Sequence, residues 1–142
     1  MRHRVTFALV LSLFLSIRLV AQTGSTTHGP TNPALYERIV GTWQDNRCGT
    51  TINSFRISQS GSVLSVQLTA HPIRGDIRTC RISLGEQTQV SLLDPGFDGK
   101  VFWFFIPENG GRRELRLLVT DKSMVFESER ASANAVQYVK AE

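Results

Sequence analysis

Nucleophilic catalysis needs a base beside a serine or a cysteine. The chain offers three histidines, His3, His28 and His71, and two cysteines, Cys48 and Cys80. His3 falls in an apolar-cored N-terminal segment and His28 in a polar stretch. His71 precedes Pro72 in an expected loop with no motif around it. Carboxylate pairs could serve glycosidic chemistry. Glu127 and Glu129 share an expected strand face, and Asp94 and Asp98 share a loop. Arg112, Arg113 and Arg116 on the preceding strand suit the glutamates as cross-strand partners, which reads as solvated surface. The Asp94–Gly99 loop is dense in oxygens but lacks the ligand spacing and terminal Glu of a Ca²⁺ loop. An even cysteine pair reads as a disulfide in an oxidising compartment. The chain-entropy model assigns a loop of this length ~3–4 kcal/mol. The alternative, a metal site, needs more ligands than one distant pair supplies. No catalytic residue, metal ligand or cofactor is therefore expected, and the chain reads as non-enzymatic.

The run Val101-Phe102-Trp103-Phe104-Phe105-Ile106 is the most unusual feature. In a strand Phe102, Phe104 and Ile106 share one face, and Val101, Trp103 and Phe105 the other. One set fills or lines the interior. The other is covered by a partner, a neighbouring subunit or the 33–39 helix, or forms an exposed apolar patch of the kind that binds. A flattened sheet with core on both sides is the plainer alternative.

The elements that must position these residues follow a clear order. Arg2, His3 and Arg4 precede an uncharged apolar run, Val5 to Ile17, and then Ala21 and a polar stretch. That order predicts a secretory signal over residues 1–21. The run is short for a membrane-spanning helix, which needs ~20 residues; an uncleaved anchor is the alternative. Residues 22–32 read as a flexible leader and 33–142 as the folded domain. The formal charge is +4. Residues 1–21 hold Arg2, Arg4 and Arg18 and no acid, so their removal lowers it to +1. A near-neutral domain without a clustered basic face argues against a nucleic-acid partner.

Asn32-Pro33 reads as a helix cap and first position, giving a short helix over 33–39 ended by Gly41. From there the period is two, with turn residues every 8–12 positions. Strands are expected over 51–58, 64–70, 80–84, 88–93, 101–106, 114–119, 124–129 and 135–140. His71–Asp76, Asp94–Gly96 and Asp98–Gly99 are expected loops or breakers. Short connections force antiparallel neighbours, and closure removes the exposed edges. The expectation is an all-β fold: an eight-stranded antiparallel up-and-down barrel with a short N-terminal helix, or an open sandwich as the alternative. Polar second faces on several strands argue against an outer-membrane barrel and against stable membrane insertion after signal cleavage.

The segment Ile39-Val40-Gly41-Thr42-Trp43, entering a strand from a short helix, resembles the Gly-x-Trp entry of calycin barrels. Gly41-Thr42-Trp43 through Gly49-Thr50-Thr51 is most similar to the opening of avidin and streptavidin. That resemblance implies ligand contacts at Asp45 (or Asn46) and Thr50. The gap from Trp43 to Gly49 is one residue longer than in that family, and of its later tryptophans only Trp103 remains. The lipocalin resemblance implies an Arg over the Trp43 indole, with Arg130 as the candidate and an ordinary surface position as the alternative. The early Trp, cysteine pair and strand count also resemble bacterial inhibitors of secreted metalloproteases, whose N-terminal arm would be residues 22–32.

Two functions follow as expectations. The first is a secreted or periplasmic binding barrel, lipocalin- or avidin-like. It holds a small apolar ligand in its mouth or lumen, against Phe55, Trp103 and Phe105. The second is an inhibitor or interaction protein that acts on an exported protein partner. An exported enzyme is the least supported reading.

Overall fold

Period-two burial begins at Gly41, where a glycine is required: its φ is +131°, and a Cβ there would lie 2.9 Å from the Lys140 side chain. The computed structural model describes residues 30–142. The predicted signal over 1–21 and the leader up to residue 29 lie outside the described residues. Eleven strands follow: β1 (Gly41–Asp45), β2 (Asn53–Ser60), β3 (Val63–Ala70), β4 (Ile73–Asp76), β5 (Arg81–Leu84), β6 (Thr88–Ser91), β7 (Leu93–Phe97), β8 (Val101–Glu108), β9 (Gly111–Val119), β10 (Ser123–Phe126) and β11 (Gln137–Lys140).

Nine of them form one antiparallel sheet in the order β6-β3-β2-β1-β11-β10-β9-β8-β7. The first strand pairs with the last: Trp43 lies opposite Lys140 and Gln44 opposite Val139. The two edges, β6 and β7, are consecutive in the chain with only Leu92 between them. Leu92 N–H donates to Val66 O on β3 at 2.9 Å, so the chain itself spans the seam of a nearly closed, barrel-like sheet.

Three of these strands are additional to the eight expected: β1, which precedes the first expected strand at 51–58, β4 and β7. Residues 71–76, expected as a loop, contain β4, which pairs only with β5. The expected strand over 80–84 is therefore half of a separate hairpin and not a stave of the main sheet. Asp94-Pro95-Gly96, expected as a breaker, lies inside β7. The strand accommodates it with a register irregularity between Leu93 and Gly96 and a positive φ at Asp94. Proline lacks the N–H a regular ladder uses, and a bulge is where a strand tolerates that. Glu127 and Glu129 do not extend β10, since Glu127–Glu129 is a 3-10 turn.

The N-terminal helix is a 3-10 helix over Pro33–Arg38, with Asn32 Oδ1 accepting from the Ala34 N–H at 3.2 Å. Tyr36 and Ile39 are buried in the barrel core. Residues 30–32 of the expected free leader are exposed, yet Asn32 N–H donates to Phe97 O at 2.9 Å.

Alternate residues point inward as the pleat requires. Trp43, Phe55, Ile57, Leu64, Val66, Phe97, Phe102, Phe104, Leu117, Met124 and Tyr138 form one continuous core. Phe55 packs on Phe104 and Tyr138 with ring centroids 5.4 and 4.7 Å apart. Each such side chain contributes ~1.5–3 kcal/mol when fully buried.

Candidate functional site

Phe55 lies inside this core, 2% exposed. Trp103 and Phe105 alternate with core residues Phe102 and Phe104 on β8 and so sit on the opposite face. The three residues expected to share one ligand wall are therefore separated by the sheet. Trp103 is buried there, its ring close against Gly96. A Cβ at Gly96 would come within 2.3 Å of Trp103 Cζ2 and 2.8 Å of Thr31 Cγ2. Phe105 is half-buried beneath the Arg112 guanidinium, 4.1 Å from its centroid, and Arg112 also pairs with Asp94. The outer face of β8 is therefore covered at Trp103 and Phe105, with Thr31, Gly96 and Arg112 as part of the cover.

Trp43 donates from Nε1 to Ile39 O at 2.8 Å. The cation over its ring is Lys140 of β11, 5.6 Å from the centroid, and not Arg130. Arg130 caps the 3-10 turn at 127–129 and is exposed. Position rather than residue type decides this, because Lys140 lies directly opposite Trp43 in the ladder.

The polar end of the core is built around Asp45. It ends β1 on the inward face, two residues after Trp43, and is 0% exposed. Arg47, just past the strand end, closes a bidentate pair with it. Nε lies 2.9 and 3.2 Å from the two carboxylate oxygens and Nη2 2.8 Å from Oδ2. That hydrogen bond, opposed by partial burial, raises the Arg47 pKa further above its ordinary value. Asn53 is Asp45's partner in register on β2. Tyr138 stands on neighbouring β11, with Asn53 close to its hydroxyl. Burial, followed by the Asp45 charge, pushes the Tyr138 pKa up to about 12, so the hydroxyl keeps its proton.

Outside this pair lies an open depression of about 780 Å³, lined by Arg47, Ile77, Arg78, Asn134 and Ala135. The Cys48–Cys80 disulfide, Cα atoms 5.3 Å apart, brings its far wall into place. Cys48 follows Arg47, and Cys80 ends the β4–β5 turn that carries Ile77 and Arg78. Thr50 is half-buried nearby on the β1–β2 connection, and its N–H donates to Arg47 O at 3.3 Å. A second open groove, about 460 Å³, runs along the outside of β2, β3 and β6 past Arg56, Ser58 and Gln67.

Arg47, Arg78, Asn53, Tyr138 and Lys140 were not singled out by the sequence. Only Arg47, two residues from Asp45, carried a local signal. The others depend on which strands pair. Among the described residues no group of three or more His, Cys, Asp or Glu side chains is placed to hold a metal ion. Among the same residues no helix is long and apolar enough to cross a membrane.

Fold and site together define a class, a disulfide-tethered antiparallel barrel-like sheet with a packed interior and a polar mouth. No family model matches the chain, and no curated protein or solved structure gives a significant match.

Proposed function

We propose that this is an exported, non-enzymatic binding protein, calycin-like in outline, that takes a small organic ligand at the barrel mouth and not in the lumen. One observation carries the reading. A carboxylate that is fully buried at the end of an apolar core holds an arginine in a fixed pose over an open depression. Burying a charge costs several kcal/mol, which its ion pair only partly offsets. Such a charge therefore marks a place where orientation matters. Barrel mouths are preferred ligand sites. The packed interior favours the mouth over the lumen as the site for a small apolar ligand. The disulfide supports export, because such bonds persist in oxidising compartments.

The neutral fluorescent probe N-phenyl-1-naphthylamine tests the site without presuming a charge. The probe is expected to bind the wild-type protein at one site. Ala135→Trp, which fills the depression, is expected to weaken it at least tenfold. Unchanged binding to a folded Ala135→Trp variant places the ligand elsewhere.

The inhibitor reading keeps one support. Residues 30–32, the end of the expected arm, are exposed at the surface. Nothing further favours it over the mouth.

A further inference from the structure

We propose that the mouth site recognises a small amphipathic molecule through an oxyanion, of which a carboxylate is the simplest form. This rests on the mouth being the binding site. Arginine carries five N–H donors in a planar fork. Asp45 occupies only the Nε–Nη2 edge of Arg47. Nη1 and the second Nη2 hydrogen have no protein acceptor among the described residues, and Arg47 lines the depression. The buried carboxylate thus fixes the ring of donors, as an outer-shell partner orients a ligand-binding group. A guanidinium held this way loses little side-chain entropy on gripping an anion.

The pair Asp45–Arg47 is neutral as a unit, so the surplus charge comes from elsewhere in the lining. Arg78 in that lining is exposed and makes no side-chain ion pair among the described residues. No acidic residue is in the lining. Glu129 lies within electrostatic reach of Arg47 but outside it. Asn134 adds an amide to the rim. Ile77 and Ala135 offer the apolar contact for the rest of the molecule. Two guanidiniums, one fixed by Asp45, lining one depression together with the apolar Ile77 and Ala135 fit an anionic head group on a short hydrocarbon.

Calorimetric titration of the protein with decanoate and with 1-decanol is the test. Decanoate is expected to bind at least tenfold more tightly than decanol, and to weaken as salt rises while decanol does not. Arg78→Gln, a change at an exposed residue, is expected to weaken decanoate roughly tenfold, the loss of one charge-assisted hydrogen bond. It should leave decanol unchanged. Arg47→Gln is expected to do more, and its fold is verified by circular dichroism. Arg112→Gln, outside the depression, serves as the control with no effect. Equal affinity for acid and alcohol, or a folded Arg78→Gln that binds decanoate as wild type does, overturns the oxyanion inference while leaving a mouth site in place. If neither compound binds, the mouth reading itself fails and this inference with it.

Discussion

A carboxylate at 0% exposure is stable as an anion only while something answers its charge, and at Asp45 that is the Arg47 fork. The two partners are not equivalent, because Arg47 is 38% exposed in its side chain and can turn to water. Arg47→Ala strands the buried charge and is expected to cost about 3 kcal/mol. Asp45→Asn leaves an arginine that can resolvate and should cost clearly less. Urea unfolding of both variants measures the difference, and equal losses contradict the asymmetry. Tyr138 makes a second prediction. Its folded pKa of about 12 stands above the unfolded value near 10. The native state therefore holds that proton more tightly. The resulting stability is full below pH 10 and is lost as pH rises towards 12, by up to about 3 kcal/mol. Tyr138→Phe should flatten that alkaline decline in unfolding free energy, and an unchanged slope counts against it. At this scale the sequence was only partly legible. The Trp43-x-Asp45 spacing put both side chains on one face, but the Lys140 cation over Trp43 depends on the β1–β11 register, which no local pattern encodes.

Among the elements, the β4–β5 hairpin depends on the disulfide for its place, since it pairs with no strand of the main sheet. Replacing Cys48 and Cys80 together by alanine is expected to cost about 3 kcal/mol in unfolding free energy. It should also raise amide exchange in residues 73–84 far more than in β8 and β9. Uniform exchange across both regions contradicts the independence of the hairpin. Two glycines separate the hairpin from the barrel. At Gly75, φ is +103° and a Cβ would lie 2.1 Å from Arg81 O, so Gly75→Ala disrupts the hairpin alone. At Gly96 a Cβ meets the buried Trp103 ring, so Gly96→Ala is expected to lower global stability by about 1–3 kcal/mol. Thermal melts should order them Gly96→Ala below Gly75→Ala, and the reverse order contradicts the division. Strands such as β3, β8 and β9 were legible because one face of each is core and the other polar or specially covered. Of the hairpin only β5 was legible, through its alternating burial; all four β4 residues are exposed and leave no period to read. β7 was hidden by Asp94-Pro95-Gly96, turn residues that serve as a bulge.

For the whole molecule, the meander was readable from its short connections, and so was the near-closure of the sheet, but the strand that meets β11 is β1 and not the first expected strand at 51–58. The seam was not readable. Its position depends on Leu92 reaching Val66 across the sheet and on Tyr36 and Ile39 packing into the core. Whether the interior was open also lay beyond the pattern, since apolar inward residues describe a filled barrel and a lined one equally well. Volume decides it, and the aromatic contacts of Phe55 with Phe104 and Tyr138 occupy the centre. The account therefore predicts a rigid core and a responsive mouth. Two-dimensional ¹H–¹⁵N spectra recorded while decanoate is added test this most directly. Shifts confined to the amides of Arg47, Ile77, Arg78, Asn134 and Ala135, with Phe55, Phe102 and Phe104 unmoved, are the predicted result. Large shifts at those phenylalanines, with the mouth residues still, would contradict it.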